Sequence, residues 1–83
     1  MARQLLPHDP PPAVVAARIR AERERLGYSQ IGAAEAHGGG RMSYRQLEVA
    51  ANPRLTTLVR LVRAGFDLRA IAPELFEGEG EDP

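Results

Sequence analysis

The sequence predicts a compact all-α domain built from five short helices. Apolar residues recur at helical spacing in several stretches, such as AVVAARIRAERERL from Ala13 to Leu26. Glycines and prolines stand between these stretches, at positions where helices end and begin. The sequence carries no strand signal, because no alternating run of β-branched residues extends beyond a few positions. An all-helical fold follows from these three observations.

The first predicted helix follows a proline-rich start. Residues 1–12 contain four prolines, three of them consecutive, so we expect a flexible Pro-rich arm there. Asp9 can cap the helix that follows, which would run from residue 13 to Leu26. Gly27 comes next, and glycine accepts the left-handed conformation that closes many helices.

Two short helices joined by a glycine turn come next. Ser29 supplies a side-chain oxygen that can cap a second helix, predicted over residues 30–37. Three consecutive glycines then break the chain, and Gly38, the first of them, is the natural position for a positive φ angle. A third helix is predicted over residues 41–50.

The fourth predicted helix is the most apolar one. Asn52 is its expected cap, with Pro53 at the first helical position and Gly65 as the stop. Its apolar residues form a wide stripe, typical of a face that packs on a core. The stripe consists of Leu55, Leu58, Val59, Leu61 and Val62.

A fifth helix and an acidic tail complete the prediction. Asp67 is the expected cap of a helix over residues 68–76, which Pro73 would bend or shorten. The tail, residues 77–83, is acidic and glycine-rich, so we expect it to be disordered. The folded domain is therefore expected to cover residues 13–76.

The 83-residue length and the composition limit the classes of function. A domain of this size has little room for an enzymatic cleft and shows no paired carboxylates, so no catalytic residue and no enzyme activity are expected. Cysteine is missing, which excludes thiolate metal sites and fits a reducing cytoplasm. His8 and His37 stand far apart without a ligand pattern, so no metal or other cofactor is predicted. No apolar run is long enough for a membrane span.

Positive charge is concentrated in the middle of a chain whose net charge is zero. All eleven basic residues are arginines, and five of the eleven acidic residues fall in the last ten positions. Between Arg41 and Arg63 there are five arginines and a single acid, Glu48. This imbalance favours an anionic partner for the middle region.

The order of these segments resembles the lambda-repressor-like (Cro/CI, XRE-type) helix-turn-helix family over about residues 13–76. RIRAERERLGYSQ is similar to the family's first helix and the corner after it, and NPRLTTLVRLVRAGFDL to its Pro-initiated fourth helix. Residues 30–48 align with the family motif without a gap. Ala34 falls on its small residue, Gly38 on its turn glycine and Glu48 on its final glutamate. The resemblance implies a five-helix DNA-binding domain.

Several positions depart from the family pattern. Ala33 and His37 stand where larger aliphatic residues are usual. Gly39 and Gly40 replace an apolar residue and a polar helix cap, and residues 49–51 replace a glycine and a basic residue. These changes would weaken the packing of the second helix on the third. They leave open a domain that keeps the fold and has lost, or narrowed, its DNA role.

The third helix carries the side chains that would read bases, since the start of a recognition helix points into the major groove. Arginine can bond guanine O6 and N7, glutamine can bond adenine N6 and N7, and methionine can contact a thymine methyl group. The predicted base contacts are Arg41, Met42, Arg45 and Gln46. The resemblance implies this role for Arg41, Met42 and Gln46. The alternative is that the two arginines are ordinary solvated helix residues.

Three further residues are candidates for phosphate contacts. Gln30 opens the second helix, where free backbone N–H groups can meet a phosphate, and the resemblance implies the same role. Ser43 can reach a phosphate from the third helix and Arg54 from the following loop, while Tyr44 is expected to point towards the core. The alternative for Gln30 and Arg54 is an ordinary solvated residue at a helix end.

The resemblance also implies an ion pair between Arg23 of the first helix and Glu48 at the end of the third. A partly buried pair would fix the position of the third helix more surely than it adds stability, because desolvation offsets much of the attraction.

The leading hypothesis is a transcriptional regulator that binds double-stranded DNA as a homodimer, since two half-sites raise specificity. Leu75 and Phe76, with Leu68 and Ile71, are candidates for the dimer surface; alternatively, they close the monomer core. The second hypothesis is a protein-interaction module on the same scaffold. Such a module would be a partner-bound regulator, an antitoxin or a phage-like accessory protein.

Overall fold

Five α-helices make up the described part of the chain, residues 10–77 of a computed structural model, and no strand occurs in it. The all-α class predicted from the sequence is confirmed. The helices are α1 (Pro12–Leu26), α2 (Gln30–His37), α3 (Arg41–Leu47), α4 (Leu55–Arg63) and α5 (Leu68–Ile71), and a 3₁₀ turn follows at Pro73–Phe76. Most of the predicted arm and all but the first residue of the predicted acidic tail lie outside the described residues.

Local signals set the end of α1 and both ends of α2. Gly27 (φ 79°) and Gly38 (φ 80°) adopt the left-handed conformations that close the two helices, as the sequence predicts. The Ser29 hydroxyl accepts a hydrogen bond from the Gly32 N–H at 2.9 Å and so caps α2. The predicted bounds of α2 are therefore confirmed.

α1 begins one residue earlier than predicted, at Pro12, and its N-cap residue is Pro11. Proline suits the first helical position because the nitrogen there has no partner within the helix. Asp9, the predicted cap, lies outside the described residues, as does His8.

A long-range hydrogen bond ties the loop after α3 to the start of α1. Ala51 is buried, and its N–H donates to the carbonyl of Pro12 at 2.9 Å. The chain turns towards α1 to make this contact, so α3 ends at Leu47 rather than at Ala50, where the sequence predicts its end.

α4 begins later than the sequence predicts. Its first residue is Leu55, and Arg54 is the N-cap, with an extended backbone and no side-chain hydrogen bond to the helix. The prediction that Asn52 caps α4 and that Pro53 is its first residue is therefore wrong. Both residues are needed in the loop, because the chain must pass from the tethered Ala51 to the start of α4.

Most of the apolar stripe on α4 faces outwards. Leu61 is fully buried and Leu58 is half-buried. The other three residues of the stripe are exposed: Leu55, Val59 and Val62. The stripe is wider than the surface that α2 and α5 cover, so its outer part stays exposed beside Leu68 and Leu75.

The core is small and depends on close approach between helices. Its largest fully buried side chains are Tyr44, Ile19, Leu61 and Ile71. On α2 the buried residues next to this core include Ala33 and Ala34, whose short side chains let the helix lie close to α3 and α4.

α5 is a single turn held against α1. The Asp67 carboxylate caps it, as predicted, and Pro73 ends it, since α5 stops at Ile71 and continues as the 3₁₀ turn. Arg18 of α1 donates to both carboxylate oxygens of Glu74 at 2.9 Å and to the Ile71 carbonyl at 3.2 Å. These bonds fix the last described element on the first helix.

Candidate nucleic-acid interface

α3 buries one side and exposes the other. Tyr44 is fully buried, and Leu47, one turn later, packs against the core. The five exposed residues of α3 are Arg41, Met42, Ser43, Arg45 and Gln46. All four predicted base-contact residues and the predicted phosphate contact Ser43 are therefore exposed.

A groove of about 340 Å³ runs between α2 and α3. Its lining residues are Gln30, Ile31, Ala34, Arg41, Met42 and Arg45. The lining carries two arginines and no acidic side chain, so the groove suits an anionic partner that also offers apolar atoms. The fold thus brings the start of α2 and the start of α3 to one surface.

Tyr44 anchors α3 to the rest of the molecule. Its ring meets the edges of His37 (centroids 5.8 Å apart) and Phe66 (6.5 Å). Its hydroxyl donates to Oε2 of Glu48 at 2.5 Å. Burial, together with this carboxylate, raises the pKa of the Tyr44 phenol far above its ordinary value, so the hydroxyl remains a donor.

The Glu48 carboxylate joins three helices. Arg23 of α1 donates to it through Nε at 2.6 Å and Nη2 at 3.3 Å, and Gln30 of α2 donates through Nε2 at 3.3 Å. Arg20 lies 3.5 Å from the same carboxylate. Burial alone raises the pKa of Glu48, but the bonds from Arg23 and Tyr44 outweigh it, so the pKa lies below its ordinary range.

The ion pair that the resemblance implies is therefore present, and it has a further link that the sequence did not indicate. Gln30, a predicted phosphate contact at the start of α2, donates its side-chain amide to Glu48 at 3.3 Å. Its backbone N–H belongs to the first turn of α2, where N–H groups have no acceptor within the helix. Arg23 also donates to the carbonyl of Tyr28 at 3.1 Å, so the guanidinium is well satisfied.

The glycine at position 39 of the turn is explained by His37 and Arg60. Nδ1 of His37 accepts the Gly39 N–H at 3.1 Å, and the His37 ring lies over the Gly39 Cα. A Cβ at residue 39 would come within 2.3 Å of His37 Cε1 and 2.8 Å of Arg60 Nη1. The His37 ring therefore occupies the space that a side chain at residue 39 would need.

His37 is buried with one nitrogen unsatisfied. Among the described residues, its Nε2 has no hydrogen-bond partner. Burial, helped by the positive charge of Arg60, lowers the pKa of His37 below its ordinary value. The ring is neutral in this packing, because Nδ1 must stay unprotonated to accept the Gly39 N–H.

The remaining predicted residues fall on two other surfaces. Arg54 is exposed at the N-cap of α4, beside the loop from α3. Leu75 is 61% exposed, whereas Phe76 is half-buried beneath the Arg69 guanidinium, which lies 4.0 Å from its ring centroid. Ile71 is fully buried, so it closes the monomer core and is not a dimer contact.

An apolar surface extends along α4 and onto the 3₁₀ turn. We call it the α4 surface. It borders an open groove of about 390 Å³, and its residues are Leu55, Leu58, Val59, Val62, Arg63, Leu68 and Leu75. Exposed apolar clusters of this kind mark places where another chain can dock.

Ile31 is the groove residue that the sequence reasoning missed. It lies three residues before the buried Ala34, a spacing that predicts burial, yet its side chain is 52% exposed. Arg20, which lies against Glu48, was also missed, because no local pattern indicates a contact between residues so far apart in the chain.

Comparisons of the chain with protein-family models, with curated proteins and with solved structures found no match. Within residues 10–77, no helix is long and apolar enough to cross a membrane, and no group of three potential metal ligands comes together.

Proposed function

We propose that the chain is a sequence-specific transcriptional regulator of double-stranded DNA, of the lambda-repressor-like helix-turn-helix type, acting in the cytoplasm. In this proposal α2 and α3 are the two helices of the motif, residues 38–40 are its turn, and α3 enters the major groove. The observation that carries the proposal is the outer face of α3, where polar side chains are exposed together while Tyr44 holds the helix from behind.

The exposed side chains of α3 have the chemistry that base readout requires. Arg41 at the first position of the helix can donate two N–H bonds to guanine, and Gln46 can pair with adenine in the same bidentate way. Met42, 76% exposed, offers apolar atoms to a thymine methyl group, and Arg45 lies on the same face.

The charge around α3 supports an anionic partner more strongly than the sequence alone does. Glu48 is the single acid between Arg41 and Arg63, and it is buried and paired with Arg23. That stretch of chain therefore presents arginines to solvent and no free carboxylate. Gln30, Ser43 and Arg54 are the proposed phosphate contacts, the first through the backbone at the start of α2.

We include a homodimer in the proposal because one domain of this size contacts few base pairs. The α4 surface supports it, since an exposed apolar cluster of this extent favours association. Leu75 belongs to that surface. Phe76 contributes less than the sequence predicts, because Arg69 covers its ring.

The second candidate is a protein-interaction module on the same scaffold, bound to a protein partner rather than to DNA. The α4 surface favours it, because such a surface can equally receive a different chain. The two candidates differ in their expected dependence on salt, since phosphate contacts release counterions and protein contacts between apolar surfaces do not.

The test is a selection of bound duplexes from random DNA, followed by titration of the best duplex at 50 and 200 mM salt. For about four phosphate contacts per domain, affinity should fall roughly a hundredfold for one bound domain and about ten-thousandfold for a dimer over this range. Arg41→Ala should weaken binding, whereas Arg25→Ala, which removes the same charge from a residue that lines neither the groove nor the α4 surface, serves as the matched control. Failure to enrich any duplex, or a DNA affinity that does not change with salt concentration, would favour the interaction module.

A further inference from the structure

Ile31 is an exposed apolar side chain at the edge of the polar face. It is the second residue of α2, directly after Gln30, and half of its surface is open to solvent. The core does not need it, because α2 is buried through Ala33, Ala34 and His37. Helix propensity does not favour a β-branched residue at an exposed helical position either.

The groove between α2 and α3 gives Ile31 a chemical context. Ile31 and Ala34 line it from α2, and Met42 lines it from α3. Arg41 and Arg45 lie beside this apolar strip, and no acidic residue lines the groove. A ligand that fits must therefore combine negative charge with a small apolar group.

The edge of a DNA duplex meets both requirements at one kind of base. Phosphates supply the negative charge, and thymine is the base that exposes a methyl group in the major groove. Cytosine carries only a hydrogen at the C5 position where thymine carries its methyl group, so the apolar side chains would lose that contact. The chemistry of the groove thus favours thymine over cytosine.

We propose that Ile31 and Met42 together hold the 5-methyl group of a thymine, so that α2 as well as α3 determines which sequence is bound. This inference rests on the proposed DNA-binding function. It adds a specificity-determining residue on the helix that otherwise contacts only the DNA backbone.

The experiment removes the methyl group without changing base pairing. After the preferred duplex has been selected, each thymine is replaced in turn by deoxyuridine, and the dissociation constant of the full chain is measured. One thymine per half-site should show a loss of about fourfold, the value expected for one buried methyl-sized group. The other thymines should tolerate the replacement.

The variants then identify the side chains that hold the methyl group. Ile31→Ala and Met42→Ala should each bind the thymine and deoxyuridine duplexes with nearly equal affinity. Val49→Ala, which removes an exposed apolar side chain that does not line the groove, should keep the fourfold difference. Circular dichroism of each variant checks that the helices are intact, and Ile31→Gln provides a second variant that keeps a long side chain.

The results separate failure of this inference from failure of the proposed function. If the chain binds DNA but every thymine tolerates deoxyuridine, or if the preferred site contains no thymine, the methyl contact does not exist. If both Ile31 variants keep the full methyl effect, α2 takes no part in it. If no duplex is bound at all, the proposed function fails and this inference fails with it.

Discussion

Arg23 Nε lies 2.6 Å from Oε2 of Glu48, and this bond joins α1 to the residue that follows α3. The Glu48 side chain is only 1% exposed. The same carboxylate accepts hydrogen bonds from Tyr44 and from Gln30. One buried carboxylate therefore sets the position of α3 relative to both α1 and α2, and with it the direction in which the outer face of α3 points.

Glu48→Gln should destabilise the fold by about 2–4 kcal/mol, because it leaves the Arg23 guanidinium partly buried without a countercharge. Urea unfolding followed by circular dichroism measures this loss. The matched control is Glu74→Gln, which removes a carboxylate from the more exposed pair with Arg18 and should cost about 1 kcal/mol or less. Equal stability of Glu48→Gln and the wild type, with equal DNA affinity, would show that the pair has no role.

The stability of the protein should fall between pH 7.5 and 5.5 because of His37. Burial and the nearby Arg60 lower the pKa of the folded histidine, while the unfolded chain takes up a proton near the ordinary value of about 6.5. The contribution of His37 to the free energy of unfolding is therefore fully present above the unfolded-state pKa, and it is lost as the pH falls towards the folded-state pKa. The loss by pH 5.5 is at most about 1.4 kcal/mol.

His37→Leu removes this titration and should flatten the pH dependence, although Gly39 then loses the acceptor for its N–H. Urea unfolding of both proteins at the two pH values gives the difference directly. The carboxylates with lowered pKa values titrate below this window, so they do not interfere. A wild-type curve that is no steeper than that of His37→Leu would mean that His37 gains a proton as readily folded as unfolded.

Leu75→Ser should weaken self-association roughly twentyfold or more, because the exposed leucine loses most of its apolar surface on the α4 surface. Analytical ultracentrifugation over a range of protein concentrations measures the dimer constant. Val49→Ser changes an equally exposed apolar residue outside the α4 surface and should leave that constant unchanged. A wild-type chain that stays monomeric at every concentration, with or without DNA, would remove the homodimer from the proposal.

The parts of the fold that were predictable are those set by neighbouring residues. The bounds of α2 follow from Ser29 and Gly38, which act within one turn of the helix. The start of α4 was not predictable, because it depends on the bond between Ala51 and Pro12, which are far apart in the sequence. The apolar stripe on α4 was visible in the sequence, but which part of it is covered depends on how α2 and α5 pack.

The candidate site was also predictable only in part. Exposure of the polar residues on α3 follows from helical spacing around Tyr44, so the sequence indicates that face. The bond from Gln30 to Glu48 and the exposure of Ile31 depend on the packing of α2 on α3, which spacing alone does not give. That the His37 ring fills the space of a side chain at residue 39 likewise becomes clear only from the three-dimensional packing.

The central claim is that α3 reads base edges, and the most direct measurement is base preference at each position of the selected duplex for the wild type, Arg41→Ala and Gln46→Ala. Each variant should lose about 1–3 kcal/mol of affinity and should relax the preference at one position of each half-site, guanine for Arg41 and adenine for Gln46. Variants that bind with unchanged affinity and unchanged preference at every position would contradict the claim.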